Sequence, residues 1–284
     1  MMFCIDYLLC FCYTSYVILK VCEIMEKFIN NLKRYFTYAV YAAKSELKAE
    51  VANSYLNWLW WILDPVCFML IYTFIVQIVF STSEPFLPVF VFVGLTAWNY
   101  FNKMINSSVK IVKANRQIVT KVYIPKYILL IQKSFVELFK MMISLCLVFV
   151  LMLFFEVPFT IYILWVIPII AILYIVTFGI GCILLHFGIF IEDLSNVTNI
   201  FLKLVFYLSG IFYNIKTRVK GVYGAILLRC NPIAFIMDQL RRVVIDGKAP
   251  AFDWLGIWLC IGILLCVIGV SVIHKYENSY AKVM

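Results

Sequence analysis

Residues 161–191 read IYILWVIPIIAILYIVTFGIGCILLHFGIFI, a run without one Lys, Arg, Asp or Glu. A bilayer core of about 30 Å takes about 20 apolar residues in helix. A helix also satisfies every backbone N–H and C=O with no help from lipid. Five more runs are long and mostly apolar, each with one to three charged residues: 58–80, 87–105, 127–155, 197–215 and 252–273. The expectation is an all-α integral membrane protein of six transmembrane helices, read as a single domain over 26–284.

Composition agrees. Hydrophobic residues make up 65% and charged residues 14%, against about 25% charged in a soluble domain. The net charge of +9 fits Lys and Arg that hold cytoplasmic loops in place, so no nucleic-acid partner is expected. Ten cysteines contain no Cys-x-x-Cys pair, and His186 and His274 are far apart, so no metal site is expected. Cys67, Cys146, Cys182, Cys260 and Cys266 lie within apolar runs, where Cys acts as a small hydrophobe.

Residues 1–25 are apolar and aromatic but lack the early basic region and small-residue cleavage site of a signal peptide. Two readings stay open, a seventh span or a chain whose translation begins at Met25, and this extension is given no role. Residues 26–52 place Phe28, Leu32, Tyr35, Phe36, Ala39, Val40, Ala43, Leu47 and Val51 at helical spacing, with basic residues off that stripe. An amphipathic helix at the membrane surface is expected. Glu46 and Glu50 fall on its apolar side and either face a protein partner or are solvated.

Lysines and arginines concentrate before residue 52, between 110 and 126, and at the C-terminus, while 81–85 and 156–158 have none. Six spans with both termini cytoplasmic satisfy the positive-inside rule there. Residues 216–248 break it, with Lys216, Arg218, Lys220, Arg229, Arg241, Arg242 and Lys248 on the outward side. Two helical fragments too short to span, parted at Asn231-Pro232, point to outward cap or re-entrant helices between spans five and six. A reversed topology is the competing account.

A charge in mid-bilayer costs about 2.5–3.5 kcal/mol, so each one needs a reason. Asp64, before Pro65, either faces a polar pathway or a neighbour, or caps a kink. Lys133, Glu137 and Lys140 fall at i, i+4 and i+7 and can neutralise one another. Glu192 and Asp193 form a cytoplasmic loop. Aromatic residues make up 18% of the chain. Near span ends they form an interfacial belt, or they line a channel, where ring faces pack on the C–H faces of sugars. The candidates are Trp98, Tyr100, Phe101, Phe206, Tyr207, Phe212 and Tyr213. No phosphate-loop, nucleophile-elbow or paired-His motif occurs, so no catalytic residue is expected, and ATP-powered transport would need an ATPase on another chain.

Five segments in order carry a family resemblance: Leu59-Trp60-Trp61-Ile62-Leu63-Asp64-Pro65 with Tyr72-Thr73-Phe74; Phe92 to Phe101; Asn115 to Lys126; Glu192-Asp193-Leu194 with Ser209-Gly210-Ile211-Phe212-Tyr213; and Asn231-Pro232 with Asp238-Gln239-Leu240-Arg241-Arg242. Over 26–284 the chain resembles the permease subunits of type 2 ATP-binding-cassette exporters, in the branch that exports O-antigen, teichoic acid and capsule. It departs from the family at Glu192, where a basic residue is usual, and at Gly210, where Pro is frequent.

The resemblance implies a bacterial inner-membrane permease of two copies, with two copies of a cytoplasmic ATPase. That ATPase would use ATP and Mg, and this chain would bind no cofactor of its own. It implies that Arg116, Gln117, Lys121, Val122, Tyr123, Ile124, Pro125 and Lys126 form the coupling helix, with Tyr123 and Ile124 filling an ATPase pocket. A lipid-linked glycan would slide past aromatic side chains, and cations of the cap or surface helix would meet its phosphate groups. Three rivals remain: an exporter of drugs or lipids on the same fold, a proton-coupled transporter carried by Asp64 or Glu137, and a membrane-embedded transferase.

Overall fold

The computed structural model describes residues 2–52, 55–79, 85–219 and 221–283, the side chains of 2–21, 57, 79, 278 and 281–283 excepted. Residues 81–84 of an expected outward loop and Lys220 lie outside this set. The described residues are helical, with no strand among them. The order is α1 (Met2–Val51), α2 (Trp60–Phe74), α3 (Leu87–Ala114), α4 (Arg116–Val119), α5 (Lys126–Phe154), α6 (Val166–Phe190), α7 (Leu194–Leu208), α8 (Ile215–Arg218), α9 (Val222–Cys230), α10 (Pro232–Val244) and α11 (Phe252–Val283). The surface helix expected over 26–52 is the C-terminal part of α1, which runs through Met25 without a break.

Among the described residues four segments are long and apolar enough to cross a membrane: Trp60–Ile78, Lys126–Phe154, Ile161–Phe190 and Phe252–Glu277. The runs at 87–105 and 197–215 fall on α3 and α7, which do not reach that measure alone. In α3, Asn99, Asn102, Lys103 and Asn106 interrupt the apolar sequence. It tolerates them because it is the central helix, packed on α2, α5, α6, α7 and α10, with most of its 28 residues buried. Burial among other helices frees a helix from facing lipid on every side. The α7 helix has 15 residues, about 22 Å at 1.5 Å per residue, short of a bilayer core. It stops because Gly210 takes φ +67, the left-handed conformation that ends helices.

Lining the other side of α6 is α11. The two approach so closely that a methyl group on Gly179 would lie 2.7 Å from Leu265 Cβ, and one on Gly269 2.5 Å from Cys182 Cβ. Without a hydrophobic drive between helices in lipid, such small-residue contacts supply the packing. The outer faces of α2 and α7 are apolar and exposed, including Leu70, Ile71, Phe74, Ile200, Phe201 and Leu204.

The region after α7 is held by one buried cation. Arg241 on α10 donates from Nε to the Phe90 carbonyl at 3.1 Å, from Nη1 to Gly210 at 2.8 Å and from Nη2 to Ile211 at 2.9 Å. Its guanidinium carbon lies 3.5 Å from the centre of the Phe90 ring. Asn231 caps α10 through the amides of Ile233 and Ala234 and donates to Ser209 Oγ at 3.0 Å. Pro232 at the first helical position is preorganised for that start. So the turn ending α7 is tied to α10 at both its residues and its cap.

Replacing Arg241 by Ala should leave the buried carbonyls of Gly210 and Ile211 unpaired, remove the cation from the Phe90 ring, and lower stability by about 3 kcal/mol. Arg241→Lys should recover little, since an ammonium lacks the planar fork. Gly94→Ala should mimic part of the loss, because its methyl group would come 2.5 Å from Nη2. Thermal unfolding in detergent measures all three.

Candidate functional site

Four of the seven aromatic candidates meet in one place. Phe206, Tyr207, Phe212 and Tyr213 line a groove of about 580 Å3 together with Tyr72, Ile75 and Arg218. The rings are in contact: Tyr72 to Phe212 at 4.7 Å, Phe206 to Phe212 at 5.3 Å and Phe206 to Tyr207 at 5.4 Å between centres. Trp98 backs the groove from α3, 5.2 Å from Phe206. Gly210 makes this possible: its left-handed turn folds Phe212 and Tyr213 back beside the end of α7, and Tyr213 donates to the Tyr207 carbonyl at 3.1 Å. A wall of aromatic faces with few charges offers area and weak polar contact rather than a tight site.

The other two candidates lie elsewhere. Phe101 touches Trp98 at 6.0 Å and lines an apolar groove of about 650 Å3 with Val197, Phe201 and Leu208. Tyr100 is buried against a different space, shared with Asp64. Sequence reasoning missed Tyr72 and Arg218 as lining residues. No spacing signal joins them to α7, because the contact is tertiary.

The Glu46 and Glu50 puzzle resolves into a ladder of charge between α1 and α5. Lys133 pairs with Glu46 at 2.7 Å and with Glu137 at 3.1 Å; Lys140 pairs with Glu50 at 2.7 Å and with Glu137 at 3.7 Å. Gln132 adds a bond to Glu46 at 3.3 Å. Glu137 is buried between the two lysines, so a cluster legible on α5 alone continues onto a second helix. The face of α1 that looked imperfect for lipid is the face that meets protein.

The segment 116–126 divides in two. Arg116, Gln117, Lys121, Val122 and Tyr123 are exposed, with Ile118 beside them. Ile124, Pro125 and Lys126 turn inward. Ile124 is therefore core rather than a side chain offered to a partner, and Lys126 faces Glu277 of α11 at 4.0 Å. Tyr123 donates to the same carboxylate at 3.1 Å. Partial burial, with Glu277 beside it, pushes the Tyr123 hydroxyl up to about 12, so it remains a donor. Sequence reasoning missed Glu277; its one signal is an acidic residue beside the basic Lys275. Glu192 and Asp193 form an exposed two-residue turn between α6 and α7.

Three of the cap cations expected to meet phosphate have partners within the protein. Arg241 is buried on carbonyls, Lys216 pairs with Asp238 at 2.7 Å, and Arg229 lies 5.0 Å from the Trp254 ring. Among the described residues no group of three His, Cys, Asp or Glu could hold a metal ion.

A double-mutant cycle tests the ladder. Glu46→Gln and Lys133→Gln should each loosen α1, and the coupling between them should be about 0.5–1 kcal/mol, as for a part-exposed pair. Amide exchange along the C-terminal half of α1 in detergent reads the loosening.

No model of a known protein family matches the chain. Curated relatives span it almost end to end. One "O-antigen export system permease protein RfbA" of Klebsiella pneumoniae is 26% identical over 255 residues, 89% of this chain and 97% of the relative. A second from Klebsiella pneumoniae is 25% identical with the same shares, and one from Myxococcus xanthus is 24% identical over 260 residues, 91% and 99%. The resemblance read from the five segments thus stands on sequence similarity along nearly the whole length: this multi-pass membrane chain is a relative of O-antigen export permeases of the type 2 ATP-binding-cassette class.

Proposed function

We propose that the chain is the transmembrane subunit of an ATP-driven exporter that moves a lipid-linked polysaccharide across a bacterial inner membrane. The observation that carries this reading is the end-to-end similarity to O-antigen export permeases. The aromatic groove of Tyr72, Phe206, Tyr207, Phe212 and Tyr213 supports it. Conduction needs sites weak enough to leave, and a wall of aromatic rings meets a sugar by area without fixing it.

In this reading α3 and α7 complete six spans, both termini are cytoplasmic, and α8, α9 and α10 form the outward cap. Three of the cap's cations are tied to the protein and count less against that topology: Arg241 is buried on carbonyls, and the exposed Lys216 and Arg229 meet Asp238 and the Trp254 ring. Two copies place their grooves around a common passage. The exposed apolar faces of α2 and α7 supply the surface for that contact.

A separate ATPase, in two copies, uses ATP and Mg2+ and seats on the exposed part of the coupling segment: Arg116, Gln117, Ile118, Lys121 and Val122. Tyr123 and Lys126 pass the movement on, through Glu277, to α11. Closure of the ATPase pair then shifts α5 and α11 together.

Arg116→Glu with Lys121→Glu should abolish co-purification of the ATPase while leaving the permease folded in the membrane, and surface polysaccharide should be lost. Pull-down of the tagged chain with mass spectrometry makes the test. An unmodified chain that brings no protein with a Walker A phosphate loop would overturn the proposal.

A further inference from the structure

The helices that meet at the end carrying segment 116–126 form two bodies. α1 and α5 are one. The charge ladder joins them, Asn31 donates to the Tyr127 hydroxyl at 2.9 Å, and the Phe28 and Tyr127 rings lie 5.1 Å apart. α6 and α11 are the other. Their glycines bring the backbones close, and near the end of α11 the Tyr280 hydroxyl lies 2.8 Å from His186 Nδ1, with the Tyr276 ring 4.9 Å from the imidazole. Across the seam between the bodies, Glu277 of α11 faces Tyr123 and Lys126.

That contact is half made. Tyr123 donates to Glu277 Oε2 at 3.1 Å. Oε1 is closed to solvent and has no hydrogen-bond partner among the described residues. Lys126 Nζ stands 4.0 Å from it, beyond hydrogen-bond reach, although the two side chains are only 7% and 12% exposed. Among the described residues the ammonium has no other ion pair, and it lies 5.5 Å from the Tyr123 ring. Burying two opposite charges is repaid only where their geometry is good. The ladder supplies the contrast: there Lys133 and Lys140, both more exposed, reach Glu46 and Glu50 at 2.7 Å.

The gap follows from where each partner is anchored. Lys126 opens α5 directly after Pro125, and the next residue, Tyr127, is tied to α1. Glu277 lies on the turn of α11 whose Tyr276 and Tyr280 rest on His186 of α6. Each charge therefore travels with its own body, and a relative shift of about 1 Å brings them to the distance of a charge-assisted hydrogen bond. The exposed residues 116–123 lead straight into Lys126, so a push on them acts on this gap.

We propose that Glu277 is a positioning residue for energy coupling: with Lys126 it forms a latch across the seam between α1–α5 and α6–α11, slack in this structure and closed when the ATPase presses on segment 116–123. The proposal rests on the reading that an ATPase seats there.

The test uses the full chain with its ATPase in vesicles, supplied with lipid-linked glycan extracted from producing cells. Glu277→Gln keeps an oxygen for Tyr123 and removes only the charge, so ATPase co-purification and thermal stability in detergent should hold. Glycan moved per ATP hydrolysed should fall about tenfold, the order of one charge-assisted hydrogen bond. Lys126→Met should give the same fall, and the double variant should fall no further, because both act through one contact. Amide exchange over 272–280 should slow about tenfold when a non-hydrolysable ATP analogue is added to the unmodified complex, and should not respond in Glu277→Gln. Unchanged glycan per ATP in Glu277→Gln, or falls that add in the double variant, overturns the latch and leaves export standing. If Glu277→Gln unfolds or releases the ATPase, Lys126→Met decides, and unchanged coupling there overturns the latch. An unmodified chain that holds no ATPase overturns the export reading as well.

Discussion

A guanidinium buried away from water must meet acceptors on every side, and Arg241 meets three backbone carbonyls. That requirement organises the half of the molecule after α7. It holds α10 against the first turn of α3 through Phe90, and it fixes the Gly210–Ile211 turn that ends α7. The turn in turn sets where Phe212 and Tyr213 lie against Phe206 and Tyr207. The aromatic groove is thus shaped at a distance by one cation, which reads as a functional charge in the sequence and is a structural one in the fold.

Charge is used inside this protein in a consistent way. In lipid an unpaired charge is costly, so charged groups are placed where protein covers them. The Glu46–Lys133–Glu137–Lys140–Glu50 ladder joins α1 to α5. Lys126 and Tyr123 share Glu277 of α11. Lys216 and Asp238 close the region before α10. Asp64 and Lys103, which have no such partner among the described residues, are exposed instead.

Much of the helical order was legible because apolar runs of bilayer length have few other readings. The break at Asn231-Pro232 was legible too, since a side-chain cap followed by Pro is local chemistry. The failures are tertiary. Nothing in the spacing of α3 shows that Asn99, Asn102 and Lys103 are carried by a helix surrounded by others. The basic segment 110–126 looks uniformly available, yet Ile124 and Lys126 point into the core because α5 begins there. Glu46 and Glu50 looked like defects of an amphipathic stripe, since a pattern on one helix cannot name the lysines on another. Of the aromatic candidates, those flanking Gly210 were placed together by a local turn, whereas Tyr100 and Phe101, adjacent in sequence, face different spaces, as neighbours on a helix do.

The groove and the exposed half of segment 116–126 enter one proposal: a glycan carried along aromatic faces by a permease that takes its energy from another chain. Reconstitution tests this most directly. The chain and its ATPase are placed in vesicles with the lipid-linked glycan on the outer face, ATPase side outward, and glycan protected from an added glycosidase is measured. The account predicts protected glycan only when the chain, the ATPase and hydrolysable ATP are all present. Protection that needs no ATPase, or that follows an imposed proton gradient instead, would contradict it.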